Sequence, residues 1–75
     1  MDRIPLNSTL LVWVRYLAEI RILQVSLRTG TDYEYFDVPA ATYSGLLVAE
    51  SKGRYYNLHI RNEFRFQQIQ KTTAP

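Results

Sequence analysis

The sequence predicts an α+β fold in which an antiparallel meander of three or four strands is followed by two short helices packed on one face of the sheet. Two observations indicate this class. Along most of residues 10–38, apolar and polar residues alternate as they do in half-buried strands. After Pro39, apolar residues instead recur at the spacing of a helix.

Length and composition suit one small domain. The chain has 75 residues, of which 47% are hydrophobic, and it contains no cysteine, so no disulfide supports the core. We expect an irregular lead-in over residues 1–9 that can add an edge strand, a single domain over 10–69 and a disordered tail over 70–75. No apolar run is long enough to span a membrane, and we expect a cytoplasmic protein.

The first predicted strand covers residues 10–17 and separates two sets of side chains. Val14 and Tyr16 lie on one face, and Trp13 and Arg15 lie on the other. We interpret Trp13 as a core or rim aromatic, unless the second face of the sheet is uncovered.

Two further strands follow at 20–27 and 32–38, joined by a hairpin loop around Gly30. In the third strand, two pairs of residues compete for the inward face. Tyr33 and Tyr35 either pack against the first helix or form a stacking platform on an open sheet, and we favour packing. The competing residues on the opposite parity are Phe36 and Val38.

Pro39 suits the first turn of a helix over about residues 39–50. Gly45 inside this helix indicates either the close approach of another group or a weak helix. Ser51 can cap a second helix, whose buried stripe contains Tyr56 and Ile60. Residues 64–69 either continue the second helix or return as an edge strand, and their alternation favours the strand.

Basic charge is concentrated in the last third of the chain. Residues 1–50 contain four basic and six acidic side chains, whereas residues 51–75 contain five basic and one acidic. An anionic partner would be drawn to the second segment. Catalysis and metal binding find little support, because one histidine and no thiol are available. We therefore expect neither an enzyme nor a bound cofactor.

A candidate surface lies at the start of the second helix, where unpaired backbone N–H groups favour anions. If the helix extends to Arg65, its arginines form a basic ridge opposite the buried stripe, and Tyr55 points sideways to stack on a base. The alternative is that this ridge is only the solvated face of an amphipathic helix. The candidate nucleic-acid or phosphate-binding residues are Ser51, Lys52, Gly53, Arg54, Tyr55, Asn57, Arg61 and Arg65.

A set of residues spread over the predicted domain carries a resemblance to a known family. The set consists of Tyr33-Glu34-Tyr35, Val38-Pro39, Tyr43, Leu46, Ala49, Ser51, Gly53, Tyr55-Tyr56-Asn57 and Ile60-Arg61. With these residues the chain resembles, over roughly residues 10–69, the KTSC domain family, which is named for the carboxy terminus of lysyl-tRNA synthetase and also occurs as small bacterial or phage proteins. It implies a small α+β domain, for which RNA binding is only suggested.

Three functions stay open. The first is a non-catalytic accessory module that binds RNA or another nucleic acid through a basic helix face. The second is a protein-interaction or homo-oligomeric module, because a small open sheet has edges and an aromatic face that need cover. The third is a site for a small phosphorylated ligand such as a nucleotide, at the turn from Ser51 to Arg54.

Overall fold

A computed structural model describes residues 3–69 of the chain. The α+β class is confirmed. The elements in chain order are β1 Ile4–Pro5, β2 Leu11–Leu17, β3 Ile22–Leu27, β4 Asp32–Tyr35, α1 Ala40–Val48, α2 Lys52–His59 and β5 Phe66–Ile69. The sheet has five strands rather than three or four, because the lead-in and the segment after α2 both add one. The predicted disordered tail, 70–75, lies outside the described residues.

The strands lie side by side in chain order, and each neighbouring pair is antiparallel. β1 to β4 form a continuous meander. The chain then leaves the sheet for α1 and α2 and returns as β5, which pairs with β4 through Tyr35 opposite Phe66. The final segment is therefore an edge strand, as the alternation favoured.

One face of the sheet carries the core, and both helices pack on it. Tyr16 of β2 stacks on Tyr43 of α1 with ring centroids 4.7 Å apart. Tyr35 of β4 meets Tyr56 of α2 edge to face at 5.9 Å. The core residues are Leu6, Leu11, Val14, Tyr16, Leu23, Val25, Tyr35, Val38, Leu46, Tyr56 and Ile60. Tyr33 and Tyr35 thus point inward, although the helix that Tyr35 meets is α2 and not the first helix.

The opposite face of the sheet has no helix over it in the described part of the chain. Trp13 lies on this face, beneath the guanidinium of Arg3 at 4.5 Å from the ring centroid. Beside it runs a polar row, in which the Glu34 carboxylate accepts hydrogen bonds from Gln24 at 3.0 Å and Gln67 at 2.7 Å. Within residues 3–69, the second face of the sheet is therefore uncovered. This is the case in which Trp13 was not expected to be a core or rim aromatic.

β4 ends before Phe36 and Val38, and this early end decides which residues face the core. β4 stops at Tyr35, and Asp37 adopts a positive φ of 58°. This left-handed residue turns the chain, so that Val38 becomes fully buried and its N–H donates to the Arg21 carbonyl at 2.9 Å. Tyr35 and Val38 therefore both reach the core, while Phe36 stays half-buried.

Gly45 in α1 is explained by close approach. A Cβ on residue 45 would lie 2.8 Å from Cζ of Tyr55 and closer still to its hydroxyl oxygen. The Tyr55 hydroxyl instead passes over the glycine and donates to the Thr42 carbonyl at 3.0 Å. The absent side chain is what lets α2 lie against α1. Neither helix described within residues 3–69 is long and apolar enough to cross a membrane.

Candidate nucleic-acid interface

The start of α2 is fixed by a cap and by a close contact with the segment before β2. Ser51 Oγ accepts a hydrogen bond from the Arg54 N–H at 3.3 Å. A Cβ on Gly53 would lie 3.3 Å from Leu10 Cβ and 3.7 Å from Ser8 Oγ. Gly53 therefore allows the helix to approach this segment, which is a structural reason for a glycine here.

This contact forms the floor of an open groove of about 690 Å³ between residues 7–10 and the first turns of α2. The groove brings together five of the eight predicted site residues. They are Ser51, Lys52, Gly53, Arg54 and Asn57, and the remaining lining residues are Asn7, Ser8, Thr9, Leu10, Glu50 and Leu58.

Three cations surround the groove, and one of them was missed from the sequence. Arg28, after β3, donates from Nε to the Ser8 carbonyl at 2.6 Å. Its backbone N–H also donates to the Leu10 carbonyl at 2.9 Å, so the arginine is tied to the groove wall. No local motif distinguishes Arg28, because the hairpin brings it next to residues that are about 20 positions earlier in the chain.

The two cations contributed by α2 differ in their contacts. Lys52 Nζ donates to the Ala49 carbonyl at 2.9 Å, so this amine also satisfies a carbonyl after α1. The Arg54 side chain is exposed, and no acidic side chain within residues 3–69 forms an ion pair with it. Arg54 is therefore the cation most accessible to an external anion.

Tyr55, the predicted stacking residue, is not fully exposed. Its ring is half-buried between the helices, next to His59 at a centroid distance of 4.5 Å, and its hydroxyl is bound to α1. The burial of the Tyr55 ring is due to Gly45 and Thr42 of α1, whose contact with α2 is not evident from the sequence.

The continuous basic ridge is also absent, because α2 ends at His59. Ile60 leaves helical geometry at φ −125° and is fully buried, and the chain then turns back to the sheet. Arg65 lies beyond this turn, over the Phe36 ring and 3.5 Å from the Asp37 carboxylate, away from the groove. Arg61 donates to the Asn57 side-chain oxygen at 3.4 Å.

A second group of residues lies at the end of α2, where Tyr56, predicted only as core, meets Tyr35, for which packing was favoured over a stacking platform. The hydroxyls of Tyr35 and Tyr56 are 2.5 Å apart, and these residues are only 2% and 1% exposed. Burial raises the pKa of both phenols above their ordinary value. The Arg61 guanidinium is near enough to oppose that rise in both. The hydroxyl pair is therefore neutral at physiological pH.

The described side chains offer no metal centre. Within residues 3–69, no three histidine, aspartate or glutamate side chains come together where they could hold a metal ion. Apart from the Glu50 carboxylate, the polar groups at the groove are cations, amides and hydroxyls, which suit the binding of an anion.

Comparisons with known proteins agree with this fold. A model of the KTSC domain matches residues 7–64. A KTSC domain protein of Yersinia pestis has a crystal structure that superposes with a TM-score of 0.89 at 28% identity, covering 92% of this chain and 97% of that one. An uncharacterised protein of Stutzerimonas stutzeri is 39% identical over 57 residues, 76% of this chain and 80% of that protein.

The chain is also similar to part of a much longer enzyme. It is 35% identical over 54 residues to the lysine-tRNA ligase of Nostoc punctiforme, which is 72% of this chain but only 10% of the ligase. The chain thus spans about a tenth of the ligase's length. Together, the matched range and the relatives show that this chain belongs to the KTSC domain family.

Proposed function

We propose that this chain is a non-catalytic accessory module that binds RNA through the groove at the start of α2. The observation that carries the proposal is that Lys52 and Arg54 line one open groove and Arg28 is bound to its wall at Ser8, whereas Glu50 is the one carboxylate among the lining residues. Lys52 and Arg54 lie at the positive end of α2, and together with Arg28 they can neutralise successive phosphates of a strand.

Two further facts support an RNA ligand. The groove is open rather than enclosed, which suits a strand that passes across it. The lysine-tRNA ligases that contain a similar segment are named for a reaction on tRNA, which is an RNA.

The test is a salt titration of binding to a fluorescent single-stranded RNA and to an RNA hairpin. We expect affinity to fall steeply with salt, and Arg54→Ala and Arg28→Ala each to reduce the slope of log K against log salt by about 0.7–0.9. Arg65→Ala is the matched control, because this arginine pairs with Asp37 outside the groove.

Absence of binding to both RNAs at low salt would exclude the proposal. Equal losses of affinity in the Arg54 and Arg65 variants would exclude the groove as its location.

A second candidate function, protein interaction or self-association, is favoured by the uncovered sheet face around Trp13. Sedimentation measures it directly. A wild-type protein that self-associates, and a Trp13→Ser variant that does not, would support this function, whereas a monomer at high concentration would exclude self-association.

A further inference from the structure

A cavity of about 240 Å³ lies between the sheet and the end of α2. It is smaller and more enclosed than the groove. Its walls are Leu27, Tyr33, Tyr35, Tyr56, Arg61, Asn62 and Phe66. Ligand sites for drug-sized molecules occupy roughly 300–1,000 Å³, so this cavity suits a smaller group.

The walls are mainly aromatic. Tyr33 meets Phe66 edge to face at 5.6 Å, and Tyr35 lies 5.7 Å from Phe66 and 6.3 Å from Tyr33. A free phosphate would lose much of its hydration among such rings and gain one arginine in return. A planar heteroaromatic ring would instead exchange water for aromatic contacts.

The hydroxyl pair leaves one proton unused. Two hydroxyls carry two protons, and the hydrogen bond between Tyr35 and Tyr56 uses one of them. Within the part of the chain described, neither hydroxyl has a second hydrogen-bond partner. One buried O–H donor is therefore left for an acceptor such as a base carbonyl, which reaches it only when the cavity wall moves, because Tyr35 and Tyr56 are 2% and 1% exposed.

The cavity is connected to the groove through two side chains of one helix turn. Asn57 lines the groove, and its oxygen accepts from Arg61, which lines the cavity. Leu27 of the cavity wall is likewise next to Arg28 at the groove. A strand whose phosphates follow the groove would pass the mouth of the cavity.

We propose that the cavity takes one unpaired base of the bound strand, with the base against the aromatic rings and the spare phenol donating to its carbonyl. This inference rests on the proposed RNA-binding function and adds to it a pocket for the base. Arg61 closes one side of the pocket, where its flat guanidinium can stack on the base or bind its phosphate.

The experiment compares two ligands on the full chain: an oligouridylate of about ten nucleotides, within the usual site size, and an abasic ribose-phosphate strand of equal length. We expect the base-containing strand to bind about tenfold more tightly. The double variant Tyr35→Phe with Tyr56→Phe should remove most of that preference, because it removes the spare donor while keeping the rings. Binding of the abasic strand should be unchanged.

Two further variants show whether the preference for the base-containing strand depends on the cavity. Tyr16→Phe removes a buried hydroxyl that donates to the Val38 carbonyl elsewhere in the core, and it should leave the preference intact. Asn62→Trp, at an exposed position on the cavity mouth, should block the pocket without disturbing the core and abolish the preference.

The outcomes separate the two proposals. If both strands bind equally and the pocket variants change nothing, the base pocket is excluded and RNA binding by the groove stands. If neither strand binds, the proposed function fails and the pocket fails with it. If inorganic phosphate displaced the base-containing strand as easily as it displaces the abasic strand, the base pocket would also be excluded.

Discussion

α1 and α2 lie against the same face of the sheet, but their side chains differ in chemistry. α1 contains no charged residue, whereas α2 contains Lys52 and Arg54. The distinctive residue of α1 is Gly45, whose lack of a side chain makes room for Tyr55. α1 is therefore mainly a packing element, and α2 presents the cations. The difference indicates that binding properties and stability can be changed separately.

The largest contrast is expected between two leucines. Leu46 of α1 is fully buried, whereas Leu58 of α2 is 58% exposed. Leu46→Ala should lower the free energy of unfolding by about 2–5 kcal/mol, because it leaves a cavity in the core. Leu58→Ala should change it by less than about 0.5 kcal/mol. Urea denaturation of both variants measures the difference, and similar losses would contradict the division between the helices.

Alkaline pH should destabilise the protein chiefly through the buried pair of tyrosines, Tyr35 of β4 and Tyr56 of α2. Burial raises the pKa of Tyr35 and Tyr56, so the folded state holds protons that the unfolded state releases. Their stabilising contribution is complete below the unfolded pKa of about 10. It is lost above that pH by up to about 1.4 kcal/mol per pH unit for each phenol.

The control for this pH effect is Tyr43 of α1. Burial also raises its pKa, but Tyr43 is only half-buried. Circular dichroism between about pH 9 and 12 should show that replacing Tyr35 and Tyr56 by Phe flattens the loss of stability more than Tyr43→Phe does. If Tyr43→Phe reduced the loss of stability at alkaline pH more than the replacement of Tyr35 and Tyr56, the pH-sensitive tyrosine would be the one on α1.

The smallest predicted effect concerns Gly45→Ala. Alanine favours a helix by about 1 kcal/mol, but its Cβ would overlap the Tyr55 ring, and such overpacking typically costs about 1–3 kcal/mol. We expect a net loss of about 1 kcal/mol by urea denaturation. In a Tyr55→Ala background the same substitution should become stabilising. A loss of equal size in both backgrounds would show that Tyr55 is not the reason for the glycine.

Much of the fold was predictable because it depends on local periodicity. The alternation around Val14 and Tyr16 and the Ser51 cap act over a few residues, and the structure confirms them. Pro39 stands at the N-cap of α1, one position before the first helical residue, and the helix is shorter than the predicted range 39–50. The end of α2 was not predictable in this way. Ile60 continues the helical spacing of the buried stripe, yet the chain must turn there to return to the sheet, and this requirement comes from tertiary structure.

The candidate site was predictable only where it lies on one helix. Ser51, Lys52, Gly53, Arg54 and Asn57 come together because they are neighbours on α2. Arg28 and Tyr56 were not identified as part of a site, and Tyr33 and Tyr35 were considered only as a platform on an open sheet, because strand pairing and helix packing bring these residues together from distant positions. Tyr55 was misplaced for a related reason, since the small size of Gly45 decides where its ring lies.

The order of the sheet also has a consequence for how the cavity becomes accessible. The turn between β3 and β4 contains 4 residues, whereas 30 residues separate β4 from β5. Closing the longer segment costs about 2 kcal/mol more in chain entropy. β5 is therefore expected to pair last during folding and to open first in the native protein. Because Phe66 belongs to β5 and forms a wall of the cavity, we expect local opening of this edge to widen the cavity while β1 to β4 stay paired.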